Sequence, residues 1–113
     1  MSYGGYPFEP VDGNGNPAVS TTSTSASFSI SVGGVAQTQL AVDATRVEIS
    51  GCNPHGSEGL WLAVDGVTAA PNGQGSYYVP PLGPFYINGS DAKTAISFYA
   101  ATTGHAVSMS VGK

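Results

Sequence analysis

Residues 45–66, TRVEISGCNPHGSEGLWLAVDG, decide the fold class that we predict for this chain. Val47 and Ile49 alternate with polar residues that include Arg46, which is the period-two pattern of a strand with one buried and one solvated face. After the loop 51–59, the run from Leu60 to Val64 is apolar on both faces. We expect one face of this second strand to meet the core and the other to meet a partner.

Strand-like patterns also lie on both sides of this stretch. Alternating or β-rich runs occupy 26–32, 37–42, 77–79, 85–87, 95–100 and 105–111, and Gly, Pro, Asn and Asp separate them. Short strands with turn signals at this spacing are typical of sandwiches and small barrels. We therefore predict an all-β fold, an antiparallel β-sandwich or jelly-roll-like small barrel of about 7–8 short strands. Gly33-Gly34 and Gly104 predict hairpin turns between the runs that they join.

The chain divides into an extended N-terminal arm, 1–25, and a β-sandwich domain, 26–113. The arm is rich in Gly, Pro, Ser and Thr and has no periodicity, so it cannot bury enough apolar surface to fold by itself. Tyr3, Tyr6 and Phe8 are spaced along it as anchors that would order on a neighbouring subunit. The alternative is a floppy terminus.

Charge is scarce throughout the sequence. Charged residues make up 9% of the chain and the net charge is −4, with three basic residues, whereas about 25% charged is typical. A phosphate backbone would have almost nothing to pair with, so we predict no nucleic-acid binding. A neutral surface favours a protein that is covered by other chains, and we predict a homo-oligomer. No apolar run is long enough to span a membrane and the N-terminus does not resemble an export signal, so we predict neither location.

We predict no cofactor and no metal site. Residues 12–16 resemble the start of a calcium loop, but Pro17 and Ser23 stand where glycine and glutamate are needed. Cys52 and His55 have a C-x-x-H spacing that suits half of a zinc site, and His105 adds only a third soft ligand.

Catalytic residues are not predicted either. Ser57 lacks the G-x-S-x-G context of a nucleophile elbow. Glu58, Asp65 and Asp91 lie at turns, where acidic residues serve solvation and turn geometry. Two carboxylates flanking a sugar stay open as a glycosidase alternative, because sequence does not reveal their separation in space.

Aromatic side chains are the most informative set. Several of them must fall on outward strand faces, where Tyr and Trp mark either a protein interface or a platform on which sugars stack. The candidate interface residues are Tyr3, Tyr6, Phe8, Trp61, Tyr77 and Tyr78.

Residues 27–112 resemble small tailed-bacteriophage virion structural proteins of the head decoration, or cement, type. The resemblance lies in a strand of the R-V type, a short strand ending in a charged-Gly turn, a Pro-Pro-Gly corner and two closing strands of which the last ends in glycine. The corresponding residues are Thr45–Ile49, Leu60–Gly66, Val79–Phe85, Ala95–Ala100 and Gly104–Gly112.

This resemblance implies a non-enzymatic capsid decoration protein, made in the host cytoplasm, that lies on the capsid surface of the virion. Its partner would be the major capsid protein, and it would stabilise the head by bridging capsid subunits as a trimer or dimer. The alternative is a carbohydrate-binding, adhesin or tail-fibre-type module on the virion surface. In that case Trp61, Tyr77 and Tyr78 would stack on sugars beside Asp65, Asn72 and Gln74.

Overall fold

The computed structural model describes residues 22–113, and nine strands and one 3₁₀ turn lie within that range. The anchors predicted at Tyr3, Tyr6 and Phe8 and the calcium-like residues 12–16 lie outside it. The elements are β1 (Ser23–Ser25), β2 (Phe28–Ser29), β3 (Gln37–Leu40), β4 (Glu48–Cys52), β5 (Leu60–Ala63), β6 (Ser76–Val79), β7 (Pro84–Asn88), the 3₁₀ turn Gly89–Lys93, β8 (Ile96–Tyr99) and β9 (Ala106–Gly112).

The strands form two antiparallel sheets, which confirms the all-β prediction. One sheet has the order β1-β9-β4-β7, with β2 also paired to β9, and the other has the order β3-β8-β5-β6. The pairs are nested along the chain: β5 pairs with β6, β4 with β7, β3 with β8, and β1 and β2 with β9. Within residues 22–113 each sheet ends in an edge strand on both sides, and neither sheet closes into a barrel.

The apolar core lies between the two sheets and is centred on Phe98, which is fully buried. The rings of Phe28 and Phe85 meet the Phe98 ring edge-on, with centroids 4.9 and 5.9 Å away. Ile49 and Leu60, one from each side of the loop 51–59, are both 0% exposed. The alternation at Val47 and Ile49 therefore identified core positions correctly.

Both predicted hairpins are wrong. β2 pairs with β9 and β3 pairs with β8, so the chain crosses from one sheet to the other at Gly33-Gly34. Likewise β8 and β9 belong to different sheets, and Gly104 lies in a crossing between them. Alternation tells which face of a strand is buried, but it carries no information about which strand lies alongside. The segment Ser23–Ser25, at the end of the predicted arm, pairs with β9.

Arg46 also departs from its predicted solvated position. Its side chain is 3% exposed and donates hydrogen bonds to the carbonyl oxygens of Ala41, Ala92 and Thr94. Burial lowers the pKa of the guanidinium from its ordinary value. Because β4 begins only at Glu48, Arg46 precedes the regular strand and joins the 3₁₀ turn to the segment before β4.

Candidate functional site

An aromatic row crosses the outer face of the β3-β8-β5-β6 sheet. Trp61 on β5 lies opposite Tyr78 on β6 and Tyr99 on β8, so the three side chains form a line across adjacent strands. The Trp61 and Tyr78 ring centroids are 4.9 Å apart with a 49° angle between the planes. Tyr78 is 52% exposed, and the other two rings are half-buried. We call Tyr78, Trp61 and Tyr99 the aromatic row.

Local sequence explains why the row faces outward. Leu60 and Leu62 alternate with Trp61 and point into the core, where they are 0% and 3% exposed. Gly59 lies directly beneath the Tyr78 ring, and a Cβ at position 59 would collide with that ring. The absence of a side chain there therefore allows Tyr78 to lie flat next to Trp61.

A second feature, which we call the edge cleft, opens between β6 and β7, the edge strands of the two sheets. It has a volume of about 330 Å³. Tyr77 and Tyr86 line it and are 60% and 59% exposed. The Tyr86 hydroxyl donates a hydrogen bond of 2.8 Å to Glu48 Oε1, and this bond raises the pKa of Tyr86. Asn88 and Asp91 add polar groups to the lining.

The predicted interface residues thus separate into two places. Trp61 and Tyr78 share the aromatic row, whereas Tyr77, on the other face of β6, lines the edge cleft, which Tyr78 also borders. The predicted sugar-binding partners Asp65, Asn72 and Gln74 lie in the connection between β5 and β6 and are exposed there. Sequence reasoning placed the aromatic residues on strands correctly, but it did not separate the two surfaces.

The loop that follows β4 is organised by a side chain that sequence analysis did not single out. Asn53 is fully buried, and its Nδ2 donates to the carbonyl oxygen of Glu58 at 2.8 Å. Its Oδ1 accepts hydrogen bonds from the His55 backbone N–H at 3.2 Å and from His105 Nε2 at 2.7 Å. This one carboxamide holds the loop against the turn that precedes β9.

His55, Glu58 and His105 form a cluster above Asn53, with potential metal-ligating atoms all within 4.8 Å of one another. The two imidazole rings stack with centroids 4.8 Å apart. Cys52, the predicted partner of His55, is a half-buried free thiol outside this cluster. Glu58, and not Cys52, joins the two histidines in the cluster, because the loop folds back and brings residues 55 and 58 to the same side.

Glu58 is held firmly in position. Its Oε2 accepts hydrogen bonds from the backbone N–H groups of Ala101 and Thr102, and its Oε1 accepts one of 2.6 Å from the Thr102 hydroxyl. The Thr102 hydroxyl is the largest cause of the lowered pKa of Glu58, followed among the favourable contacts by the interaction with His105. The carboxylate therefore stays ionised and stabilises the turn before β9.

Hydrogen bonds also define which ring nitrogens are available. His55 Nδ1 accepts from the backbone N–H groups of Ser57 and Glu58 at 3.1 and 2.9 Å. Nε2 of the neutral ring must then carry the proton, so binding of a metal at His55 requires the ring to release these two bonds. Each release costs about 0.5–1.5 kcal/mol, which is small beside the ~10–16 kcal/mol of structural zinc sites.

Comparison with known protein families, with curated proteins and with solved structures finds no match to this chain. Within residues 22–113, no helix has the length and apolar character that crossing a membrane requires. The proposals below therefore rest on the sequence and on the geometry just described.

Proposed function

We propose that this protein is a non-enzymatic structural component of a tailed-bacteriophage virion, a capsid decoration protein that bridges subunits of the major capsid protein. The observation that carries the proposal is the aromatic row on a chain with very little surface charge. Aromatic side chains are enriched and charges depleted in the cores of protein interfaces. The sequence resemblance to head decoration proteins supplies the identity of the partner.

We infer further that the two sheets form a jelly-roll β-sandwich. If β1 and β2 count as one interrupted strand, the fold has eight strands, and the nested pairs join first with last, second with seventh, third with sixth and fourth with fifth. Jelly rolls recur in viral capsid and lectin domains. Fold alone does not assign function, but this arrangement is consistent with either of the two functions considered.

The size of the aromatic row supports the oligomeric part of the proposal. If each of its three rings buries on the order of 100 Å² on binding, the row contributes about 7 kcal/mol at ~25 cal/mol per Å². Association itself costs about 4–15 kcal/mol, so a single row binds weakly. A dimer or trimer that presents several rows to a symmetric capsid gains the missing affinity through avidity.

The proposal is tested by adding the purified protein to heads assembled from the major capsid protein of the same genome, followed by sedimentation. We expect the unaltered chain to sediment with heads, and Tyr78→Ala to weaken binding at least about tenfold, or ~1.4 kcal/mol. Trp61→Ala should weaken assembly more than it weakens the fold. Tyr86→Ala removes a ring of similar exposure from the other sheet and serves as the matched control.

Two results would count against the capsid role. Failure of the unaltered protein to sediment with heads, at every head concentration, would remove the partner. Equal loss of binding in Tyr78→Ala and Tyr86→Ala would show that the aromatic row is not the contact surface.

A carbohydrate-binding or tail-fibre-type module is the second candidate, and the edge cleft favours it. Tyr77 and Tyr86 offer ring faces there, and Asn88 and Asp91 offer hydrogen-bonding groups, which is the combination that sugar sites use. Hits on a glycan array would support this function. Sedimentation with heads, together with no binding on the glycan array, would support the decoration function.

A further inference from the structure

We propose that His55, Glu58 and His105 bind one zinc ion that fastens the loop after β4 to the turn before β9. All three side chains lie at one end of the two sheets, and their candidate ligand atoms are within 4.8 Å of one another. Two imidazoles and one carboxylate form a donor set that suits zinc. The zinc site is independent of the capsid role proposed above.

His105 provides the strongest evidence for a bound cation. Its side chain is fully buried, and among the described residues its Nδ1 has no hydrogen-bond partner. Nε2 lies 2.7 Å from Asn53 Oδ1. Because Asn53 already donates through Nδ2 and uses Oδ1 as its acceptor, Nε2 of His105 must be the donor. When Nε2 carries the ring's single proton, Nδ1 presents a bare lone pair.

That lone pair faces a negatively charged oxygen. His105 Nδ1 is 3.4 Å from Glu58 Oε2, and two acceptors at this distance need either a proton or a metal ion between them. Tetrahedral zinc, with bonds of about 2.0–2.2 Å to nitrogen and oxygen, separates two of its ligand atoms by roughly 3.4 Å. The pair is thus already spaced as one edge of a zinc tetrahedron, and Asn53 acts as the outer partner that fixes the tautomer of His105.

His55 is the third candidate zinc ligand. Its ring stacks against His105 and must turn to exchange its two backbone hydrogen bonds for the metal. A surface cleft of about 340 Å³ adjoins both rings and leaves room for a water molecule or a partner's side chain as the fourth ligand. Ligand counting along the sequence overlooked this site because it paired His55 with Cys52 instead of Glu58.

The test uses the untagged full chain after chelator treatment, titrated with Zn²⁺ by calorimetry and with Co²⁺ by visible absorption. We expect one ion per chain, and the d–d absorption of tetrahedral Co²⁺. His55→Asn keeps an acceptor for the Ser57 and Glu58 N–H groups while it deletes the ligand nitrogen, and should lower zinc affinity at least about tenfold. Glu58→Gln should lower it as well.

Cys52→Ser is the matched control, because it alters the C-x-x-H partner without touching the cluster; its zinc affinity should equal that of the unaltered chain. Long-range ¹H–¹⁵N spectra of the imidazoles provide a readout besides affinity: zinc should shift His105 Nδ1 while Nε2 stays protonated. Circular dichroism of each metal-free variant confirms that it is folded. Absence of saturable zinc binding, or equal affinity in His55→Asn, would overturn the proposal.

Discussion

The sharpest structural prediction concerns Asn53, whose carboxamide connects three segments. Replacement of Asn53 by Ala removes the 2.8 Å bond to the Glu58 carbonyl oxygen and the 2.7 Å bond with His105. It also removes longer Nδ2 contacts of 3.4 and 3.3 Å to the carbonyl oxygens of Val79 and Pro80. The His105 nitrogen lies in a fully buried side chain, so no water replaces the lost acceptor. Other polar groups of the loop are only partly buried and can turn to solvent.

The expected magnitude follows from this difference in burial. Leaving the buried His105 donor without an acceptor destabilises the fold by about 1–3 kcal/mol. Loss of the two partly buried hydrogen bonds, to the Glu58 carbonyl oxygen and from the His55 N–H, destabilises it by about 0.5–1.5 kcal/mol each. We therefore expect Asn53→Ala to lower the free energy of unfolding by about 3 kcal/mol, a large part of the ~5–15 kcal/mol that holds a typical domain together.

Urea unfolding in the presence of a chelator, followed by Trp61 fluorescence and circular dichroism, measures this loss without interference from metals. Ser50→Ala is the control, because the Ser50 hydroxyl makes an exposed contact of 3.2 Å with Ser110; it should change stability by no more than about 0.5 kcal/mol. A loss below about 1 kcal/mol for Asn53→Ala would refute the view that this carboxamide holds the loop.

Three further predictions concern other parts of the fold. Arg46→Met should destabilise the protein by about 3 kcal/mol, because three carbonyl groups lose a charged donor, and chemical denaturation measures this loss. Hydrogen bonds from Thr45, chiefly, and from Lys113 hold the pKa of Asp43 well below its ordinary 3.8. The stabilising contribution of the Asp43 carboxylate is therefore complete above the ordinary value and is lost progressively as pH falls below it. Stability measured against pH should decline less steeply in Asp43→Asn. Gly51→Ala should lower the melting temperature and cost about 1–3 kcal/mol, because its Cβ would collide with the backbone carbonyl oxygen of Ser108 and with the Phe85 ring.

Sequence reasoning succeeded where the evidence was local. Val47 and Ile49 were assigned to the core from period-two alternation, and both are buried. Prolines 80 and 81 correctly placed the end of β6, because proline cannot donate to the ladder. These results depend on the geometry of one strand and need no knowledge of its neighbours.

It failed where contacts join distant parts of the chain. The hairpins at Gly33-Gly34 and Gly104 were wrong, because turn residues are equally suited to a crossing between sheets. Arg46 was placed in solvent, since nothing nearby in sequence signals the carbonyl groups of Ala92 and Thr94 that receive it. Asn53 was passed over for a similar reason: its most buried partner, His105, is 52 residues away.

In the stretch 45–66, the sequence by itself determined two strands and the buried face of the first, because strand geometry repeats every two residues. Only the tertiary structure decided that these strands lie in different sheets, that Trp61 joins Tyr78 and Tyr99 in one row, and that His55 meets Glu58 and His105. The physical reason is that nested pairing brings together residues far apart in the chain, and local periodicity cannot encode which of them become neighbours.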